Sequence, residues 1–455
     1  MFLAAQYGLA ALLFGLGTWW TFGREKYLLL LLSICLVLGQ LARLPLPISD
    51  IGILISDLLI PWIVFLWFGK QLLFYKCLPK TRFGLPIFLF LGIACFSLLV
   101  QVPFLPLGQI VQAGFYLVRL LSYFLLFFVC VHIFEQEGEK ATPKHLHLLL
   151  WTALLLGITG ILQFLFVPDF RFMAPLGWDP HIGRLLGTWY DPNYIAGFFS
   201  VVIGLFVCHW YAKPLKERGF FIPAVVLFLA VCFLLTYSRS GMVAFGVVVA
   251  VLGLLRFRSL FIVALLIFSL GLMVSDRLQE RFMGLVEGGL ATVTGSLDYD
   301  LDVTSQKRVE SWDQSLSLLE GNLVLGIGYN TIEFRKQDRG LILDPKSHSA
   351  SGSDSSLLNI LLTTGILGLL LYCYLYASWC YASLRLFFSN NTRASTSFFG
   401  LGMFALLMSL LLHSFFVNSL LLPFFLMLLM PLTALLDIES RKLLEPLGDK
   451  VDEQA

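Results

Sequence analysis

The sequence predicts an all-α polytopic membrane protein with about 12–13 transmembrane helices and one large extracytoplasmic loop. Three observations carry that expectation. Of 455 residues, 58% are hydrophobic and only 13% are charged, a balance that belongs to chains solvated mostly by lipid. The apolar residues fall in runs of roughly 20, the length that crosses a hydrocarbon core. The basic residues gather on alternate connections between those runs, which is the asymmetry that orients a membrane protein.

The candidate spans lie near 2–22, 27–43, 51–69, 86–103, 109–134, 146–167, 191–212, 219–237, 240–255, 259–275, 355–383, 397–416 and 418–436. The first run has neither a basic leader nor a small-residue cleavage site, so it is read as a retained span. Connections 23–26, 70–84, 135–145, 213–219 and 256–258, the region of Arg385 and Arg393, and the tail from Arg441 hold 18 of the 31 Lys and Arg. The short connections opposite hold only Arg43, Arg171, Arg184 and Arg239. The first set is therefore assigned to the cytoplasm and the second to the outer face. The chain divides accordingly into N-terminal helices (1–167), helices carrying the outer arginines (168–275), a large extracytoplasmic loop (276–354), C-terminal helices (355–437) and a cytoplasmic tail (438–455). A net charge of +2 gives no footprint for nucleic acid. The eight cysteines show neither a disulfide frame nor metal spacing.

Charges placed at or in the oil need a reason. Arg184 sits in GRLLGTWYDPNYIAGF (183–198), Arg239 in TYSRSGM, and Arg119 in the middle of the run FYLVRLLSY. A charge at a helix centre costs about 2.5–3.5 kcal/mol on insertion scales, so it faces a partner or a polar cavity. Headgroup snorkelling is the plain alternative for Arg184 and Arg239. Arg119 calls instead for a buried partner, and Asp57 in the third run is one candidate. In the long loop, Lys307 and Arg308 open KRVESWDQSLSLLEGN. There Arg308, Trp312, Leu316 and Leu319 recur at helical spacing and predict an amphipathic helix ended by Gly321-Asn322. Guanidiniums bind phosphate in bidentate fashion, and a lipid diphosphate is the natural anion at that depth.

The residues after Arg184 read first as structure. Asp191 suits an N-cap and Pro192 the first helical position. Asn193, one turn into a span, wants polar partners such as sugar or diphosphate. Trp189 and Tyr190 read either as an interfacial belt or as faces on which a sugar stacks. His132, His209 and His413 lie near span ends and read as interfacial residues, since no spacing supports a metal site. The acidic run Asp298, Asp300, Asp302 reads as a solvated tract. GIGYN (326–330) lacks the third glycine and the strand–helix context of a dinucleotide fingerprint.

Taken in order, GRLLGTWYDPNYIAGF, TYSRSG, RVESW, GIGYN and SDSSLLNILLTTGILG resemble the O-antigen ligases and O-antigen or exopolysaccharide polymerases, from about Gly183 to Tyr372. The resemblance implies a metal-independent, inverting membrane glycosyltransferase of the lipid-phosphosugar-dependent type, with no cofactor. Its donor would be a glycan on undecaprenyl diphosphate at the outer face of the bacterial inner membrane. Its acceptor would be another glycan or a lipid A core, and a chain-length regulator or flippase would be its protein partner. It further implies that Arg184, Arg239, Arg308 and Arg119 hold the diphosphate, while Asn193, Asp191, Trp189 and Tyr190 serve the glycan or the start of the helix. Ligases of the family carry a His-Asn pair at the start of the span after the loop; this chain has Asp354-Ser355 there. Asp354 is then a candidate base or a helix cap, and His348 a second candidate base or a solvated loop residue. The missing histidine favours polymerase over ligase. A small-anion transporter is the second reading, with outer arginines as an attracting vestibule. The spans offer few polar residues beyond Arg119 and Asp57 for a path to both faces, and the 79-residue loop suits a lid over a glycan.

Overall fold

Leucine- and phenylalanine-rich runs fold as helices because in lipid the backbone must satisfy its own hydrogen bonds. The structure, a computed structural model, describes residues 2–46, 49–75, 78–294, 303–341, 352–390 and 393–443. The first part comprises α1 (Phe2–Gly23), α2 (Leu28–Leu38), the hairpin strands β1 (Arg43–Leu46) and β2 (Ser49–Leu54), α3 (Ile55–Lys70), α4 (Gly84–Val100), α5 (Leu107–Glu137) and α6 (Ala141–Phe166). After a long connection come α7 (Pro192–Tyr211), α8 (Phe221–Leu234), α9 (Arg239–Leu255), α10 (Arg258–Val274), α11 (Asp276–Thr294), α12 (Val303–Ser317) and α13 (Ile332–Asp338). The chain closes with α14 (Ser356–Phe388), α15 (Ala394–His413) and α16 (Pro423–Lys442).

Among the described residues, seven helical stretches are long and apolar enough to cross a membrane, or eight if α10 and α11 form one broken span. One of the seven, Leu107–Phe166, is α5 and α6 joined by a short 3-10 turn. Two expected spans, α4 and α8, emerge shorter at 17 and 14 residues, and α9 matches its expected run at 17. At about 1.5 Å per residue they reach about 21–26 Å, less than a hydrocarbon core of about 30 Å. Turns at 101–105 and 235–238 take up the ends of two of these runs. The hairpin, with Arg43 paired to Leu54, takes the end of the expected span 27–43 and the start of 51–69 as well as the connection between them.

Burial sorts the helices. α16 is buried along almost its whole length and packs on α5 and α14, so it is apolar all round because it has no lipid face. α7 packs between α8, α9 and α15. α10 lies at the margin, with Met273 and Val274 more than four-fifths exposed. At Ser275 the chain bends by 116°, and α11 leaves at that angle with an amphipathic sequence. That is the form of a helix lying along a membrane surface.

The two sets of connections separated by charge gather at two ends. At one, Glu25 receives both Lys70 and His132, Arg441 meets Glu135 (2.7 Å), Arg393 meets Glu139 (2.9 Å), and the Arg82 amide bonds Asp437 (2.7 Å). At the other, Arg43 lies over Trp178, Arg277 bonds the Gly183 carbonyl, and Arg335 bonds Gln101.

α14 is broken. Gly365 takes φ +69°, and a Cβ there would lie 2.1 Å from the Val324 carbonyl oxygen. The backbone groups freed by the break bond the start of GIGYN and the chain just before it: Ile327 N–H donates to Leu362 O (2.8 Å) and Ile366 N–H to Leu323 O (2.9 Å). Broken backbone at membrane depth is tolerated where protein satisfies it in this way.

Candidate functional site

Arg184 is held by a loop bonded at almost every residue. Gly183 adopts φ +55° and donates to Pro168 O, Leu185 N–H donates to Leu235 O (2.9 Å), and the Gln163 side-chain oxygen accepts from Leu186 N–H (2.8 Å). Thr188 Oγ1 donates to Val37 O and Trp189 Nε1 to Leu36 O (2.9 Å). Trp189 is 1% exposed and stacks on Phe424 at 4.6 Å. It is therefore an anchor in the core, not the interfacial or sugar-stacking face the sequence suggested. Tyr190 packs on Phe170 and Trp178, half-buried, at φ +59°. Asp191 then caps α7, accepting from the Asn193 (2.7 Å) and Tyr194 (3.0 Å) amides.

The same loop meets the turn that starts α9. Arg184 Nε donates to Thr236 O (2.8 Å) and Nη2 to Tyr237 O (3.3 Å). Tyr237 adopts φ +50°; Ser238 caps α9 through the Gly241 amide and donates to Asn193 Oδ1 (2.8 Å). Arg239 is the first residue of α9. From α11, the Arg277 guanidinium lies 4.9 Å over the Tyr237 ring and bonds Gly183 O at 2.7 Å. Arg239 reaches the same helix: its Nη1 stands 3.6 Å from the position a Cβ would take on Gly284. Burial, then the charge of Arg281, with Arg277 and Arg239 adding and Asp191 opposing, brings the Arg184 guanidinium down to about 9. It remains cationic at neutral pH in a field that favours an anion.

Arg277 and Arg281 were missed in the sequence because they lie in the long loop, where charge was discounted. Their spacing of four on an amphipathic run was the available signal. Arg308 lies in α12, but the buried face there is formed by Ser311, Ser315 and, just beyond the helix, Leu318, while Leu316 is half exposed. The expected Trp312–Leu316–Leu319 stripe is thus rotated. The chain after α12 does turn at Gly321, φ +79°. His348 and the acidic run Asp298, Asp300 and Asp302 lie outside the described residues.

Arg119 stands elsewhere. Its Nε is 3.2 Å from Asp57 Oδ1, which also accepts from the Tyr123 hydroxyl (3.0 Å). This pair lies beside a cavity of about 290 Å³ lined by Arg119, Tyr194, Tyr329, Glu333, Asn359 and Asn418 among others. Two neighbouring residues of α7 therefore serve two regions: Asn193 bonds Ser238 beside Arg239, and Tyr194 lines the cavity. Beneath them, buried His413 donates or accepts at Ser419 and bonds the Asn193 carbonyl (3.2 Å), its ring packed on Gly197. It is a core residue and not an interfacial one.

Asp354 precedes the α14 cap position, which falls on Ser355 with no side-chain capping bond. The cap reading of Asp354 is thereby replaced. Asp354 is half-buried; burial lowers the Lys336 ammonium, the charge of Asp354 opposes that, and the ammonium bonds Gly352 O (2.9 Å).

The fold and this arrangement define a polytopic helical membrane protein with a basic niche at one end and a polar cavity beside it. Residues 224–373, about a third of the chain, match the family model described as O-antigen ligase. The match covers TYSRSG, α11 with its arginines, GIGYN and the break in α14; the Arg184 loop lies before it. The family implies a membrane enzyme that transfers glycosyl groups from lipid-linked glycans. No curated protein matches the chain.

Proposed function

We propose that the chain extends or transfers a glycan carried on undecaprenyl diphosphate at the outer face of the bacterial inner membrane, acting as a polymerase. The observation that carries this reading is the convergence of Arg184, Arg239, Arg277 and Arg281 around a loop fixed to the start of α9. Fixed guanidiniums and the N-terminus of α9 stabilise negative charge as it builds on a departing diphosphate. Arg308, on α12 of the same extramembrane segment, is a further diphosphate contact in this reading.

The acceptor hydroxyl oxygen attacks the anomeric carbon while the bond from that carbon to the diphosphate oxygen breaks, so the configuration inverts. The hydroxyl proton passes to the Asp354 carboxylate, with His348 as the alternative base. An aspartate where ligases carry His-Asn is what favours chain extension over transfer to a lipid A core.

The test is reconstitution of the full chain with a synthetic undecaprenyl-diphosphate oligosaccharide, followed by product sizing with a second such molecule or with lipid A core as acceptor. Chain extension by the parent and its loss in folded Arg184→Ala and Arg239→Ala is the expected result. Full turnover by both variants overturns the diphosphate clamp, and transfer to lipid A core alone overturns the polymerase assignment. Unchanged pH dependence in Asp354→Asn removes Asp354 as the base.

A further inference from the structure

We propose that the cavity between α5, α7, α13 and the first part of α14 binds the terminal sugar of the acceptor as a neutral, hydroxyl-rich ring. This rests on the glycosyl-transfer reading and adds the acceptor subsite to it. The lining is rich in groups that both donate and accept: Gln112, Asn330, Asn359 and Asn418 amides, with the tyrosines 116, 194 and 329 beside them. Amides satisfy the paired donor and acceptor character of adjacent sugar hydroxyls, and aromatic rings offer apolar faces to the ring carbons. The Asn418 amide oxygen is buried and has no hydrogen-bond partner among the described residues, which marks this side chain as one whose polar groups are not spent on the fold.

Size and charge narrow the occupant. At about 290 Å³ the cavity falls at the lower limit of ligand pockets, room for a single ring and not an extended chain. Its one arginine, Arg119, is paired with Asp57, and Glu333 places a carboxylate on the wall. The niche at Arg184 is an anion site; this cavity has its positive charge offset.

Position connects it to the chemistry. The Asn359 and Asn418 Nδ2 atoms stand 3.9 and 4.0 Å from where a Cβ would lie on Gly352, two residues before Asp354. Tyr194 lines the cavity, and its amide donates to the Asp191 cap (3.0 Å). A sugar held here presents a hydroxyl toward Asp354, with the donor's diphosphate on the far side of the first turn of α7. The floor is preorganised. Tyr329 and Asn330, the latter at φ +56°, belong to the segment bonded to the α14 break.

Saturation-transfer NMR of the purified full chain with methyl glycosides of neutral hexoses tests this without turnover. The expected result is saturation of at least one glycoside by the parent, its loss in Asn359→Leu and Asn418→Leu, partial recovery in Asn418→Gln, and no change in Arg184→Ala. In the reconstituted reaction the same Leu variants should raise the acceptor KM about tenfold and leave the donor KM unchanged. Absence of saturation by every glycoside, saturation indifferent to both Leu variants in folded protein, or displacement by inorganic diphosphate overturns the proposal. Transfer without glycoside binding leaves the transferase reading standing and removes the subsite. Glycoside binding without transfer to any acceptor removes the transferase reading instead.

Discussion

Arg184 Nε donates to the carbonyl of Thr236 at 2.8 Å, and through that bond the loop after α6 and the turn before α9 become one unit. The second bond, to Tyr237 O, uses another edge of the same guanidinium. An ammonium has no such planar fork. Arg184→Lys is therefore expected to lose activity nearly as severely as Arg184→Ala, by about 10²–10³ in kcat. Retention of more than half the parental turnover by the lysine variant would show that charge alone suffices.

Arg277 and Arg281 bring the surface helix α11 onto the niche. Removing either should weaken donor binding about tenfold, and Arg277→Ala should lower kcat as well because Arg277 also holds the loop at Gly183 O. The effect should shrink as salt rises. A donor titration at low and high ionic strength checks both points.

The interlock of α14 with the segment before GIGYN admits no side chain at Gly365, where φ is +69° and Val324 O would lie 2.1 Å from a Cβ. Gly365→Ala should destabilise the fold by at least about 2 kcal/mol. Gly246, whose Cβ would meet nothing within 4 Å, gives the control, and Gly246→Ala should be neutral or slightly stabilising. Thermal unfolding in one detergent compares the two.

Asp57 and Arg119 form an ion pair within the helical bundle. Asp57→Ala leaves the guanidinium without its counter-charge, at a cost of about 3–5 kcal/mol, whereas replacing both members with leucine should recover most of that loss. A double variant whose cost equals the sum of the two single-variant costs would show the pair to be energetically idle.

Sequence patterning alone gave the membrane class, the alternation of connections between two ends, the Asp191 cap and the Asp57 partner of Arg119. Each of these follows from local rules: run length, charge asymmetry, turn chemistry, and the cost of an unpaired charge in oil. Trp189 and His413 were misjudged, since an aromatic or histidine near a span end looks the same whether it faces headgroups or another helix. The α14 break was hidden because Gly365 sits inside a run of spanning length and hydropathy, where a single glycine also occurs in intact helices.

What only the tertiary structure decided is which distant residues share a site. Arg184 precedes Arg277 by more than ninety residues, and no periodicity links them; the 116° bend after α10 does. It likewise separated Arg119 from the other arginines and placed it on a cavity made by segments from five parts of the chain. Charge and hydropathy fix where a residue lies along the membrane normal, because solvation is local. Which neighbours it meets within the membrane plane is fixed by helix packing, which no single run of sequence contains.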